Sequence, residues 1–172
     1  VGGRGKKQSN RSLNRATGSL RQPGSAFKIV AVYAPALDSA GQSLGTVTKD
    51  EPFERNGKSY KNAYKGFKGN VTMRTAIQDS VNISALKTFE EITPQLGFEY
   101  SEKLGIQTLV KSKKINGKVY SDLQLPTALG GITDGVYNLE MTGAYAAIAN
   151  GGVYNTPIFY PKILDHEGNV LI

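Results

Sequence analysis

Ser25 and Lys28 are the residues of this sequence whose types and spacing best suit nucleophilic chemistry. Pro23-Gly24 forms a turn before them and an apolar run follows, so the pattern predicts a buried helix that begins at Ser25 and carries both side chains on one face. A hydroxyl is a weak nucleophile, but a desolvated lysine of lowered pKa can accept its proton. The free N–H groups at the start of the helix can face the negative charge that develops on an attacked carbonyl.

Ser25 and Lys28 also allow a purely structural interpretation. Serine commonly caps a helix N-terminus, and a lysine can extend its ammonium to solvent along the helix surface. Because Ser-x-x-Lys recurs by chance in many proteins, the four-residue pattern alone favours this structural interpretation. Evidence from other residues is needed to distinguish the catalytic interpretation of Ser25 and Lys28 from the structural one.

Length and composition indicate a globular protein without thiol or histidine chemistry. The 172 residues, 39% of them hydrophobic, suit one domain with a core. The absence of cysteine excludes disulfides, thiolate catalysis and cysteine zinc sites, and the single histidine, His166, lies in a turn-like cluster typical of the surface. No apolar run is long enough to span a membrane, and no signal peptide is recognisable. We expect no cofactor and no metal.

The net charge of +7 lies entirely in the N-terminal part of the chain. Seven of the 21 basic residues precede the first acid, Asp38, and the other 14 equal the acids in number. A basic arm at residues 1–7 suits contact with nucleic acid or another anionic surface. A solvated segment adjoining the rest of a longer protein is the alternative, and the lack of aromatic residues among the early charges favours it. We therefore expect no nucleic-acid partner.

Caps, turns and apolar spacing predict several helices and two hairpins. The predicted helices run from Ser25 to a kink or end at Pro35, over 71–79 with Asn70 or Thr72 as cap, over 83–92, from Thr93-Pro94 to Gly105, and over 139–149 with Asn138 as cap. Asn56-Gly57 and Asn116-Gly117 predict hairpin turns. Residues 42–70 are expected to be irregular and to border a functional cleft, and 158–164 and 170–172 are expected to be strands.

Ser80-Val-Asn82, between two predicted helices, supplies a second motif. With Ser25-Ala-Phe-Lys28 it resembles the transpeptidase domain of penicillin-binding proteins, which carries Ser-x-x-Lys, Ser-x-Asn and a strand with Lys-Thr/Ser-Gly. The flanking segments are similar to the bifunctional class A type, whose other domain polymerises glycan strands; they are 14–16, 71–76, 128–131, 144–146 and 149–152. The combination favours a catalytic interpretation over the alternative that Ser80 and Asn82 only cap and turn the chain.

The resemblance implies an α+β protein, an incomplete penicillin-binding/serine β-lactamase-like transpeptidase fold made mostly of its helical part plus a few strands. No Lys-Thr-Gly or Lys-Ser-Gly occurs in the sequence. Residues 1–172 are therefore expected to be a truncated transpeptidase domain that starts after the first sheet strands and ends before the Lys-Thr/Ser-Gly strand. We expect the 172 residues alone to be impaired as an enzyme, and the rest of the parent protein to be a partner.

The resemblance also implies a mechanism and a location. Ser25 would attack a peptidoglycan stem peptide with Lys28 as base, Ser80 would pass a proton to the departing amine, and Asn82 would orient Lys28 and hold the substrate amide. The expected protein is a D,D-transpeptidase that forms a serine acyl-enzyme and is a target of β-lactams. Its parent protein would be membrane-anchored at the extracytoplasmic face of the bacterial cell membrane.

Four other functions remain open at this point. A serine β-lactamase or a D,D-carboxypeptidase would use the same residues but let water resolve the acyl-enzyme, and the flanking segments argue against both. A non-catalytic fragment, or a basic interaction module that uses the N-terminal arm, would need no acylation at Ser25.

Overall fold

The computed structural model describes residues 5–6 and 12–171, in which helical residues outnumber strand residues. The α-helices are α1 Ala34–Asp38, α2 Met73–Gln78, α3 Asn82–Ile92, α4 Pro94–Lys103 and α5 Asn138–Ala149. A 3₁₀ turn at Gly24–Ala26 and a π-helical turn at Ile29–Tyr33 precede α1, and a second 3₁₀ turn lies at Leu125–Leu129. None of the helices within the described ranges has the length and apolar character that crossing a bilayer requires.

The strands form four antiparallel pairs. They are β1 Leu20–Arg21, β2 Val47–Asp50, β3 Phe53–Arg55, β4 Lys58–Tyr60, β5 Gly69–Thr72, β6 Lys113–Ile115, β7 Lys118–Tyr120 and β8 Val136–Tyr137. β3 pairs with β4 and β6 with β7 as hairpins, which confirms the turns predicted at Asn56-Gly57 and Asn116-Gly117. β1 pairs with β8 and β2 with β5 across long stretches of sequence.

The core is built around residues 24–38, here called the central helical stretch. Six of its apolar side chains are almost fully buried, and it packs against α3, α4 and the second 3₁₀ turn. Full burial of such a side chain is worth about 1.5–3 kcal/mol relative to exposure, so this stretch is a principal source of stability. The buried members are Phe27, Val30, Ala31, Val32, Tyr33 and Ala36.

At Pro35, where the sequence predicted a kink or an end, the central helical stretch is locally distorted but does not end. It widens before the proline, where Ala34 N–H donates to Ile29 O in an i→i+5 bond, and then continues as α1 to Asp38. A wider turn makes room for the proline ring, which would otherwise clash in a regular helix. The lost N–H of Pro35 leaves the carbonyl of Ala31 without its usual helical donor, and Gly97 of α4 packs against that carbonyl, where a Cβ would lie 2.4 Å from the oxygen.

Residues 42–70 are more regular than predicted. They contain β2, β3, β4 and the start of β5, and the helix expected over 71–79 is shorter because 71 and 72 belong to β5. Of the two predicted caps of α2, Thr72 is the one observed, because its side chain accepts a hydrogen bond from Thr75 N–H. The pairing of β2 with β5 joins residues more than 15 positions apart, which a local hydrophobic pattern does not reveal.

Three other predictions need correction or lie outside the described residues. Asn138 is the first residue of α5 and not its cap; the carboxylate of Glu140 accepts from Tyr137 N–H instead. The strands expected over 158–164 and 170–172 reduce to one bridge between Leu164 and Val170, and Ile172 is not among the described residues. Most of the basic arm at 1–7 also lies outside them, so its contacts stay a prediction.

Candidate active site

Lys28 is a buried cation held by the link between α2 and α3. Its Nζ donates to Ser80 O at 2.7 Å, to Ser80 Oγ at 3.0 Å and to Asn82 Oδ1 at 2.6 Å. The residue is only 2% exposed, and this burial lowers the pKa of Lys28 from 10.5 to about 8. Lys28 therefore does not extend to solvent, and the structure places it with Ser80 and Asn82 as the sequence predicted.

Ser25 lies one turn before Lys28, at the start of the central helical stretch. It belongs to the 3₁₀ turn Gly24–Ala26 and is exposed. The sequence placed Ser25 and Lys28 on one helix face, but no side-chain hydrogen bond joins Ser25 Oγ to Lys28 Nζ in the described part of the chain. The pair thus combines an accessible hydroxyl with a buried amine one helical turn away.

The turn that presents Ser25 is clamped by the segment from Gly130 to Tyr137. Gly130, in the left-handed conformation with φ +76°, approaches so closely that a Cβ would lie 2.3 Å from Gly24 O. The side-chain amide of Gln22 both donates to Ile132 O and accepts from Ile132 N–H, and β1 pairs with β8. These contacts hold the backbone on the N-terminal side of Ser25.

A side chain of α5 holds the same turn from its other end. The hydroxyl of Tyr145 donates to Ala26 O at 2.8 Å. Ser25 is therefore flanked by fixed backbone on both sides, which is the condition for a preorganised nucleophile.

Ser80 adopts a strained backbone conformation, with φ +51°. A non-glycine residue rarely occupies this left-handed region, and observed cases concentrate at functional sites. The conformation turns both the carbonyl and the hydroxyl of Ser80 toward Lys28 Nζ. Local strain is thus associated directly with the lysine site.

Asn82 begins α3 and places its side-chain oxygen on Lys28. Its Nδ2 donates to Lys61 O at 2.9 Å, so the amide orientation follows from its two partners. Neither Ser80 nor Asn82 caps α3 with its side chain. The first N–H groups of the helix, those of Asn82 and Ile83, donate instead to Asn62 Oδ1.

Asn62 and Asp50 were missed by the sequence interpretation. Both lie in the tract predicted to be irregular, yet Asp50 is 1% exposed and accepts from Asn62 Nδ2 at 2.8 Å. No periodicity marks either residue. The only available signal was a polar residue in a tract expected to border a cleft.

The arrangement suits proton transfer at a serine. An amine with a pKa of about 8 has a substantial neutral fraction near neutral pH and can accept a proton. Ser80 Oγ, which contacts that amine, can relay a proton because a hydroxyl both donates and accepts. The site therefore contains an accessible hydroxyl, a base and a relay.

Comparison with known proteins identifies the family. Residues 3–170 match the family model of the penicillin binding protein transpeptidase domain. The chain is 33% identical over 180 residues to penicillin-binding protein 1A of Clostridium tetani, covering all of this chain and 22% of that protein. The chain thus spans about a fifth of the length of this relative.

Solved structures show the same fold. The penicillin-binding protein PonA1 from Mycobacterium tuberculosis superposes with a TM-score of 0.78 at 24% identity, over 94% of this chain and 42% of that one. Penicillin-binding protein 1A from Haemophilus influenzae superposes with a TM-score of 0.74 at 28% identity, over 93% of this chain and 22% of that one. The predicted α+β transpeptidase fold and the class A resemblance are confirmed, and the chain belongs to the penicillin-binding protein transpeptidase domain family.

Proposed function

We propose that this chain carries the serine site of a D,D-transpeptidase that cross-links peptidoglycan stem peptides and is acylated by β-lactams. The observation that carries the proposal is the buried Lys28 amine, held by Ser80 and Asn82 one helical turn from the exposed Ser25. A lysine with a purely structural role would not require an accessible hydroxyl one turn away, so the pairing with Ser25 favours a catalytic role. Membership of the family supports the same function.

In the proposed reaction Lys28 takes the proton of Ser25. Ser25 Oγ then bonds to the carbonyl carbon between two terminal D-alanines, and the peptide C–N bond breaks. Ser80 passes a proton to the departing amine, which leaves as D-alanine. The amine of a neighbouring stem peptide then attacks the ester, forms the new amide and returns the proton to Ser25.

The oxyanion site needs donors that this sequence supplies only in part. The backbone N–H of Ser25 is one proposed donor. The second donor, and the groups that bind the substrate carboxylate, belong in the family to a Lys-Thr/Ser-Gly strand that does not occur in these 172 residues. Loss of one oxyanion donor typically lowers the rate about 10²- to 10³-fold, so we expect the 172 residues alone to acylate more slowly than the full-length protein.

The proposed partners and location follow from the function. The substrates are peptidoglycan stem peptides, β-lactams act as inhibitors that stay on Ser25, and the rest of the parent protein completes the site. Such a protein works at the extracytoplasmic face of the bacterial membrane, to which the parent protein is anchored. No cofactor enters the proposed reaction.

Labelling with a fluorescent penicillin tests the proposal in the full-length protein. Ser25→Ala and Lys28→Ala should lose the label, whereas Ser112→Ala and Lys114→Ala, at exposed positions, should keep it. Full labelling of either site variant would refute the assignment. Product analysis with a donor stem peptide and an amine acceptor separates a transpeptidase, which forms the amide, from a D,D-carboxypeptidase, which releases the free acid.

A further inference from the structure

We infer that Asp50 and Asn62 are positioning residues that hold Asn82 against Lys28, an inference that rests on the proposed role of Lys28 as the base. A chain of hydrogen bonds runs from the buried carboxylate of Asp50 through Asn62 to Asn82 and on to Lys28 Nζ. Neither Asp50 nor Asn62 forms a hydrogen bond with Lys28 among the described residues. Their proposed effect is to fix where the oxygen of Asn82 lies.

Asn62 caps α3 from 20 residues away in sequence. Its Oδ1 accepts from Asn82 N–H at 2.9 Å and from Ile83 N–H at 3.3 Å. The first N–H groups of a helix have no partner within the helix, so a side-chain oxygen at this point determines where the helix begins. Because Asn82 is the first residue of α3, the cap also places the Asn82 backbone.

The residue before Asn62 holds the other end of Asn82. Lys61 O accepts from Asn82 Nδ2 at 2.9 Å. Residues 61 and 62 therefore bind Asn82 at two points. The Asn62 side chain accepts from the Asn82 N–H, and the Lys61 carbonyl accepts from the Asn82 side-chain amide. With both points fixed, Asn82 Oδ1 is left facing Lys28.

Asp50 anchors this backbone to β2. Besides Asn62 Nδ2, its carboxylate accepts from Tyr64 O–H at 2.7 Å and from Lys68 N–H at 2.8 Å. Asp50 ends β2 and Lys68 immediately precedes β5, so the carboxylate ties the 61–68 loop to the strand pair. No cation lies within salt-bridge distance of Asp50 in the described part of the chain, and a buried carboxylate of this kind is tolerated only with its hydrogen bonds in place.

The donor and acceptor pattern allows only one orientation of each amide. A carboxylate accepts only, so Asn62 must present Nδ2 to Asp50 and Oδ1 to the helix N–H groups. An ammonium donates only, so Asn82 must present Oδ1 to Lys28. Each hydrogen bond in this chain therefore has a fixed donor and a fixed acceptor. Substitutions that exchange an amide and a carboxylate exchange donor and acceptor.

Single isosteric substitutions break this chain of hydrogen bonds. In Asn62→Asp two carboxylates face each other at positions 50 and 62, and in Asp50→Asn one amide N–H₂ group must face another donor. Either variant should displace Asn82 and lower the rate constant for penicillin acylation about 10- to 100-fold, the range expected for losing one hydrogen bond to a charged group.

The double variant Asp50→Asn/Asn62→Asp is the decisive test. It exchanges the two groups, so that the amide now at position 50 donates through its nitrogen to the carboxylate now at position 62. That carboxylate accepts from the first N–H groups of α3, and the amide oxygen at position 50 still accepts from Tyr64 and Lys68. Every hydrogen bond is restored. We expect the double variant to recover acylation to within about threefold of the unaltered protein, although each single variant is impaired.

Ser101→Ala is the matched control. It removes a buried hydrogen bond, from Ser101 Oγ to Gly97 O, but leaves the bonds among Asp50, Asn62 and Asn82 intact. Thermal unfolding should shift to lower temperature in this variant as in the single variants, because all of them lose a buried hydrogen bond. Acylation should stay within about twofold.

The pH profile separates positioning from a general loss of folded protein. The acceptors that face Lys28 Nζ are Ser80 O, Ser80 Oγ and Asn82 Oδ1, and within the described residues no carboxylate lies within 4.0 Å of it. Loss of the Asn82 acceptor and loss of the Asp50 charge both disfavour the ammonium, so the acid limb of the acylation profile should move to lower pH in Asp50→Asn. Partial unfolding would lower the amplitude of labelling without moving that limb.

The experiment is carried out in the full-length protein with a fluorescent penicillin. Impaired single variants, an acid limb shifted to lower pH in Asp50→Asn, a rescued double variant and an active Ser101→Ala support the inference. Single variants that acylate normally, or a double variant no better than either, overturn it. When the positioning inference is overturned in this way, Lys28→Ala shows what else fails. Normal labelling of Lys28→Ala would also refute the proposed function, whereas an inactive Lys28→Ala would leave the proposed function standing.

Discussion

Lys28 Nζ lies 2.6 Å from Asn82 Oδ1 although 54 positions separate the two residues in sequence. The oxygen belongs to the first residue of α3, and the amine projects from the central helical stretch that forms the core. The contact therefore joins two elements that both contribute side chains to the hydrophobic core. A change in the position of the first residue of α3 should therefore alter the hydrogen bonding of the Lys28 amine directly.

The rate of acylation should depend on pH through Lys28. Burial lowers the pKa of Lys28 to about 8, and only the neutral amine can accept the serine proton. Below that pH the rate should rise about tenfold per pH unit, and above it the rate should level off. Stopped-flow acylation with a β-lactam between pH 6 and 10 measures this, and a flat profile from pH 6 to 8 would rule out Lys28 as the base.

Ser80→Gly should separate stability from activity. Glycine tolerates the φ of +51° without strain, and this gain offsets the lost hydrogen bond from Lys28 to the Ser80 hydroxyl, so the free energy of unfolding should change by less than about 1 kcal/mol while acylation falls. Urea unfolding and labelling rates measure the two effects. Asn56→Gly, at a hairpin turn with φ +53°, is the control and should keep full activity.

Gly130→Ala should damage the turn before Ser25. Both Gly130 and Gly117 have positive φ, so alanine at either position costs about 1–2 kcal/mol in the free energy of unfolding. At Gly130 the added Cβ would also meet Gly24 O at 2.3 Å, which adds about 1–3 kcal/mol of overpacking, whereas nothing lies within 4 Å at Gly117. Equal losses in the two variants would show that the Gly24–Gly130 approach is not important.

Local turn chemistry could be predicted from sequence. The two hairpins form where Asn-Gly pairs supply left-handed residues, at 56–57 and 116–117. α4 begins after Thr93, whose side chain accepts from Leu96 N–H. In each case the determining contact lies within a few residues of the signal.

Long-range contacts could not be predicted. The strand expected over 158–164 has apolar residues such as Ile158 and Phe159, but both are 75% exposed, since no neighbouring strand among the described residues pairs with them. An apolar run indicates a strand only where a partner exists. The same holds for β2 and β5, whose pairing depends on the fold as a whole.

The candidate site divides in the same way. Lys28, Ser80 and Asn82 were found through motifs that resemble a known family, and the structure brings the three together. Asp50 and Asn62 carry no motif used in the prediction and act through contacts 12 to 20 positions apart. Hydrogen-bond networks of buried polar residues need coordinates to be recognised.

The most direct test of the central claim is to map the covalent adduct of a penicillin on the full-length protein. After a brief reaction and proteolysis, mass spectrometry should find the penicilloyl group on the peptide that contains Ser25, and fragmentation should place it on the Ser25 hydroxyl. Ser25→Ala should carry no adduct, and Ser112→Ala should carry as much as the unaltered protein. An adduct on any other residue, or one that persists in Ser25→Ala, would contradict the account.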